Sequence, residues 1–498
     1  MTLVQNFPFF CIILSMFSAI LSFVMPQKVA KYIHIAMVSA VFVLSLGTLS
    51  YVAGTGESYT FMMGHFPAPW GNEIRVGVLE ALMAASFSII MLLSVFGGMA
   101  HVEREVPNSR KSLLYILLDL LMASLLALIY TNDLFTAYVF IEINTIAACG
   151  LIIVKKQGRT YVSAIRYMIM SLVGSGLFLI GLSLLYGTTD HLLMSPAKEA
   201  LDEIFAAGVY HIPFVVIAAL IVIGLGIKSG MYLFHTWIPD AYGYTTPTCS
   251  AILSSLVSKG YIFLMIKIFF RVIGFDSIIS RYLVNILFVL GLIGMIMGSI
   301  AAIKEKDIRR MTAFSSVAQI GYIYMGIGLG TTAGVVAALF HVVAHGIMKS
   351  QLFISISGLI DVSDGKQDPH SLRGAGYRSK IAGVAYTTAS MSMIGIPLFC
   401  GFVSKYLFAS SAMTASSGKL IAAWIVLGIS TILNTIYFMR MVIAIYMPVD
   451  AEMRKAHGIV PSRTEAVAMA GMILFNIAVG VMSPPIIQAL ESGIAMFG

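Results

Sequence analysis

Seven ionisable residues stand where an apolar chain should have none: Glu142, Lys228, Lys259, His341, His345, Lys349 and Lys405. A charge near the middle of a bilayer is costly, so such a residue is a functional hypothesis by default. Lys228 lies in IVIGLGIKSGMYLF, too deep for its ammonium to reach water along its own stem. Glu142, in AYVFIEINTIAACG, either neutralises Lys228 or gates it. Lys259, in SSLVSKGYIFLM, and Lys405, in GIPLFCGFVSKYLF, are also central in apolar runs. His341, His345 and Lys349 are spaced by four and share one helix face. Burial disfavours the charged form of a lysine and brings its proton exchange from roughly pH 10.4 towards neutrality. A nearby carboxylate opposes this, and moving or protonating that carboxylate releases the proton. These types at these spacings therefore suit a proton relay, with water between the side chains.

Other chemistries are poorly served. A His pair at i, i+4 could bind a metal, but HEXXH is absent and no third ligand is evident. Cys11, Cys149, Cys249 and Cys400 form no CxxC, which gives no iron–sulfur, zinc or disulfide framework. There is no GxGxxG or Walker motif, so neither cofactor nor metal is expected and any redox chemistry belongs to partner chains. Lys267 is nearer a span end, where snorkelling and function are equally good readings. For Glu80, Asp119, Arg166 and Arg440, packing or anchoring serves as well as function.

The elements that must hold these residues follow from composition. The 498 residues are 59% apolar and 11% charged, against about 45–50% and about 25% in soluble domains. That excludes a soluble or disordered protein and makes the chain a polytopic, all-α membrane protein. A span needs about 20 mostly apolar residues. Fourteen are expected, near 7–25, 32–53, 76–99, 112–130, 134–154, 161–186, 212–236, 245–270, 282–303, 312–330, 333–360, 381–411, 420–447 and 464–490. No basic stretch precedes the first, which reads as a retained span and not a leader. Of the 31 Lys and Arg, 19 fall in loops after odd-numbered spans, 5 after even-numbered spans and 7 inside spans. The positive-inside rule then puts odd loops in the cytoplasm and both termini outside. The net charge of +8 thus concerns orientation and proton handling, not nucleic acid. The longest loop is near 187–211, and residues 1–498 form one membrane domain. Spans seven and twelve carry breaks, at His235-Thr-Trp-Ile-Pro239 and at Gly395-Ile-Pro397. Broken spans line polar cavities, and one in each half points to an inverted-repeat transporter.

These segments resemble a known family. KSGMYLFHTWIPDAYGYTTPTCSAILSSLVSKGYIFLMIKIFFR resembles the signature region of the antiporter-like subunits. That family includes the D subunit of Mrp-type multisubunit cation/proton antiporters and the large membrane subunits of respiratory complex I and of membrane-bound hydrogenases. MTAFSSVAQIGYI, LFHVVAHGIMKSQLF and GIPLFCGFVSKYLF are similar to its later motifs, and the likeness runs in order from about Gly71 to Arg440. The resemblance implies fourteen helices with two inverted five-helix units, here 112–270 and 282–447, each a proton half-channel. It assigns the helix-five glutamate to Glu142, the paired helix-seven lysine to Lys228, the central helix-eight lysine to Lys259 and the helix-twelve residue to Lys405. His341, His345 and Lys349 fall on its polar helix between the halves. Gly77, Glu80, Arg166 and Tyr242 depart from its usual residues, around the periphery of the route. The chain ends soon after span fourteen, without the long lateral helix of the largest members, which favours a D-type or middle-position subunit.

The leading expectation is a proton-translocating subunit of an Mrp-type Na⁺/H⁺ antiporter in the cell membrane, with other membrane subunits as partners. Na⁺ would pass either through this subunit or through a neighbour. The alternative is the pumping subunit of a complex I-like NADH dehydrogenase or an energy-converting hydrogenase. A stand-alone transporter of a small solute is disfavoured by the lysine row.

Overall fold

The computed structural model describes residues 3–63, 66, 71–207, 211–448 and 459–497. Arg454 and Lys455, counted among the basic loop residues, lie outside them. The chain is almost wholly helical: α1 Phe7–Val24, α2 Gln27–Thr55, α3 Val78–Glu105, α4 Asn108–Tyr130, α5 Leu134–Ile152 and α6 Gly158–Thr189. Then come α7 Met194–Ala206, α8 His211–Ser229, α9 Ile238–Tyr244, α10 Pro247–Ile252 and α11 Ser258–Ile268. The remainder are α12 Ile278–Lys304, α13 Ile308–Gly328, α14 Thr332–Asp361, α15 Ala375–Arg378, α16 Lys380–Ile394, α17 Cys400–Ala412, α18 Ser417–Tyr446, α19 Arg463–Val481 and α20 Ser483–Ala495.

Ten helices among the described residues are long and apolar enough to cross a membrane. Their outer faces carry exposed apolar rows, such as Ile421, Ile425, Ile429, Ile432 and Ile436 on α18. In water such rows would aggregate; against lipid they are the matched surface. The protein is a multi-pass membrane protein. The expected segments outside these ten are 212–236, 245–270, 312–330 and 381–411. They are the interrupted or polar ones; α13 is buried nearly all round with Thr312, Ser315, Ser316 and Gln319. α14, also buried along almost its whole length, runs through the middle between α13, α16, α17 and α19.

Both spans are broken as expected, though span seven breaks at 230–234, just ahead of the expected 235–239, and the two breaks share one backbone turn. α8 stops before Gly230 (φ +77°), with Leu233 at φ +86°. α16 stops before Gly395 (φ +97°), with Leu398 at φ +89°. Each break reads Gly-x-x-Leu-Phe. A leucine at positive φ is strained by about 1–3 kcal/mol and persists only where packing imposes it. Span eight is broken as well, by wide π turns at Leu253–Val257 and Phe269–Ile273 that flank α11. The last expected span, 464–490, is interrupted between α19 and α20 at Met482.

Two elements correct the sequence reading. The 187–211 loop contains α7, whose buried Met194, Ala197 and Leu201 form one apolar stripe. Lys198, Glu199, Asp202 and Glu203 masked that stripe. The segment before α3 forms an antiparallel hairpin, Tyr59–Met62 with Glu73–Val76, with Tyr59 opposite Val76 and Met62 opposite Glu73. Its second strand is continued by a bridge from Ile74 to Thr131, and Asp133 bridges Leu193. Arg271 donates to Ser195 at 2.7 Å. The loops after even-numbered spans therefore gather at one end. At the other end Lys155 meets Glu105 (2.7 Å), Arg104 meets Asp361 (2.6 Å) and Arg440 donates to the Ile303 carbonyl (2.8 Å). This is the alternation that the basic-loop count requires.

Candidate functional site

Lys228 is the penultimate residue of the half-helix α8, where a cation faces the negative end of the helix dipole. Its side chain is buried, and Nζ donates to the Thr145 hydroxyl on α5. The Tyr261 ring lies 5.7 Å from Nζ. The Tyr261 hydroxyl donates to Asn144 Oδ1 (2.8 Å), and Asn144 Nδ2 donates to Ser124 Oγ (2.8 Å). A polar seam thus joins α4, α5, α8 and α11. Glu142 shares the face of Thr145 one turn away but makes no contact ion pair with Lys228. It is within electrostatic reach of Lys228, and its Oε1 is buried without a partner. α5 thus presents a hydroxyl to the ammonium and holds the Glu142 carboxylate farther off.

Lys259 opens α11 at the edge of a π turn, and its ammonium folds back on the Ser254 carbonyl five residues earlier. Wide turns of this kind recur at functional sites because they disturb the regular carbonyl ladder. Lys259 is fully buried and within electrostatic reach of His341, His345 and Lys349. Those three project from α14. The two imidazoles stack, with centroids 5.5 Å apart and planes 5° from parallel. His341 Nδ1 lies 2.6 Å from Ser404 Oγ on α17, and both ring nitrogens of His345 are buried without a protein partner. Lys349 Nζ donates to the Thr312 carbonyl (2.6 Å) and to Ser315 Oγ (2.5 Å) on α13. Among the described residues no third His, Cys, Asp or Glu joins the His pair.

The row continues through Tyr322 of α13. Its ring stacks on His341 at 5.8 Å and lies 5.7 Å from Lys405 Nζ. Its hydroxyl donates to Ser430 (3.0 Å), beside Asn434. Lys405 is half-buried on α17; it donates to the Ile394 carbonyl (2.6 Å), the last of α16, and to Thr431 Oγ1 (3.1 Å). A lysine there caps the broken helix end. Chemically, these are protonatable groups along the bundle's middle, alternating with hydroxyls, and like charges within reach disfavour simultaneous protonation.

Groups set aside in the sequence have partners. Lys267 does not snorkel: it is fully buried and donates to the Ile129 (2.5 Å) and Thr131 (2.9 Å) carbonyls, 3.8 Å from Glu80. Glu80 accepts from Arg75 (2.9 Å) and from the Gly77 amide (3.0 Å). Asp119 accepts from Ser18 (2.8 Å) and sits 2.5 Å from His34 Nδ1, all buried. Arg166 pairs with Asp240 (2.5 Å), which also binds Arg310. Sequence reasoning missed His34, Arg75, Thr145, Tyr261 and Tyr322. His34, an imidazole within span two, carried a signal; the hydroxyls did not.

The family described as NADH:quinone oxidoreductase/Mrp antiporter, TM, matches residues 131–431, which hold all seven residues of the row. The NADH-quinone oxidoreductase subunit N of Desulforudis audaxviator is 32% identical over 399 residues, 79% of this chain and 76% of that protein. The "Putative antiporter subunit mnhD2" of Staphylococcus haemolyticus is 25% identical over 466 residues, 94% and 90% of the two chains. A chain of the Mrp complex from Dietzia sp. DQ12-45-1b superposes with a TM-score of 0.86 at 23% identity, over 99% of this chain and 97% of that one.

Proposed function

The chain belongs to the NADH:quinone oxidoreductase/Mrp antiporter transmembrane family, and on that premise we propose that it is the proton-translocating D-type subunit of an Mrp-type Na⁺/H⁺ antiporter. The observation that carries the reading is the row of basic side chains, Lys228, Lys259, Lys349, His345 and His341, all buried, and half-buried Lys405, with Tyr322 bridging its last gap. A proton reaches Lys228 in the seam formed by Thr145, Tyr261 and Asn144. Repulsion by the next charge in the row favours release ahead of it, so protons step along without all sites filling together. The partnerless nitrogens of His345 are where a water chain would join Lys259 to the histidines.

The two breaks give each half one interrupted helix beside its lysine, in keeping with two half-channels at 112–270 and 282–447. Other membrane subunits complete the complex, and Na⁺ passes through this subunit or a neighbour. The protein lies in the cell membrane with both termini outside. The 32% identity to an oxidoreductase subunit N favours a second reading, in which the same row pumps protons for a redox partner.

The test is the parent complex reconstituted in vesicles. Lys228→Ala is expected to abolish cation-coupled proton movement while assembly persists; normal transport removes Lys228 from the route. Subunits that copurify separate the readings: small antiporter subunits alone support the first, and iron–sulfur subunits the second.

A further inference from the structure

We propose that the end of the bundle carrying the basic loops holds a binding site for an anionic phospholipid, in a groove of about 580 Å³ between the 304–307 turn, the 366–374 loop and the end of α18. Lys306, Arg373 and Arg440 line it, with Asp368 as the one carboxylate. Asp368 is already engaged, accepting from the His370 (3.1 Å) and Ser371 (3.0 Å) amides. Several other cations at this end are paired: Lys31 and Lys111 with Glu103, Lys155 with Glu105, Arg104 with Asp361 and Arg310 with Glu305. Lys306 and Arg373 make no ion pair among the described residues. Arg440 caps the Ile303 and Glu305 carbonyls at the end of α12 and leaves its buried Nε without a partner. The groove therefore keeps net positive charge that the fold does not neutralise.

Its other wall is apolar. Ile443 (53% exposed) and Met447 (41% exposed) extend the outward row of Ile429, Ile432 and Ile436 down α18. A cationic floor at the membrane edge, continuous with an acyl-length apolar strip, matches one phosphate headgroup with its chains. Basic pockets between spans on this side of a bundle are suited to such headgroups. A soluble anion would use the cations alone, and a neutral lipid the strip alone.

The test uses the full chain with its copurifying subunits, delipidated in neutral detergent and titrated by native mass spectrometry with phosphatidylglycerol or phosphatidylcholine. The expected result is preferential uptake of phosphatidylglycerol, weakened about 30-fold in Lys306→Gln/Arg373→Gln and retained in Lys306→Arg/Arg373→Lys. Excess glycerol 3-phosphate should leave the lipid bound. Equal uptake of the two lipids, an unchanged glutamine variant, or displacement by glycerol 3-phosphate overturns the proposal. So does a crosslink from Arg373→Cys to a partner subunit, which would make the groove a protein interface. Should the double variant fail to assemble, a photoactivatable phosphatidylglycerol on the unmodified protein decides the matter: labelling within 436–447 supports the site, and labelling elsewhere refutes it.

Discussion

Thr145→Val isolates what the tertiary structure adds to the lysine chemistry. The substitution keeps the shape of the side chain and removes the one oxygen to which the Lys228 ammonium donates. A hydrogen bond to a charged group contributes about 1.5–3 kcal/mol, and Lys228 is too buried for water to replace it freely. The Tyr261 ring face, 5.7 Å away, is there before and after the change and so cancels. At about 1.4 kcal/mol per tenfold, the ratio of charged to neutral Lys228 should fall about 10- to 100-fold. If transport passes through that form, the proton flux in vesicles should fall by a similar factor, while the complex assembles normally. Glu142→Gln acts differently. Its carboxylate lies beyond 4.0 Å from Nζ, so the Coulomb energy removed is below about 4 kcal/mol at an effective dielectric near 20. The two changes touch one cation, so their combined effect should depart from additivity. Wild-type flux in an assembled Thr145→Val complex would refute the reasoning, because the hydroxyl would then be packing only.

Two further outcomes test the remainder of the structure. Glu80→Gln removes the carboxylate that compensates Arg75 and Lys267, both buried, and should cost about 3–5 kcal/mol, read as a clear drop in thermal midpoint in detergent; an unchanged midpoint would demote the cluster. A protease site inserted near Glu199, on the exposed side of α7, should be cut from outside intact cells, and cutting only from the cytoplasmic side would invert the topology.

Much of the fold was legible because bilayer insertion is a windowed property. Twenty apolar residues suffice for a span wherever the rest of the chain lies, so the long spans could be placed in advance, as could the Gly395 break; the break in span seven was expected a few residues too late. The hairpin could not be placed, because Tyr59–Met62 is too short to stand out and gains its partner only where the chain returns at Glu73. Nor could α7, whose three buried residues are outnumbered by polar ones. Span eight looked uniform in sequence, and its two π turns appear only where packing around α11 imposes them.

The site divides in the same way. Charge in an apolar run is a local fact, so Lys228, Lys259, His341, His345, Lys349 and Lys405 stood out from the sequence alone. Which atom each one faces is not local. Thr145 and Lys228 are 83 residues apart, Ser404 and His341 are 63, and Ser18 and Asp119 are 101. A helix rotation of one residue, 100°, would exchange Thr145 for Ile146, which cannot accept, or for Asn144, whose amide already serves Tyr261 and Ser124. The sequence by itself determined a membrane bundle with buried protonatable groups. The tertiary structure decided their partners, because the angular register between helices is set by packing along their whole length, which no window of residues contains.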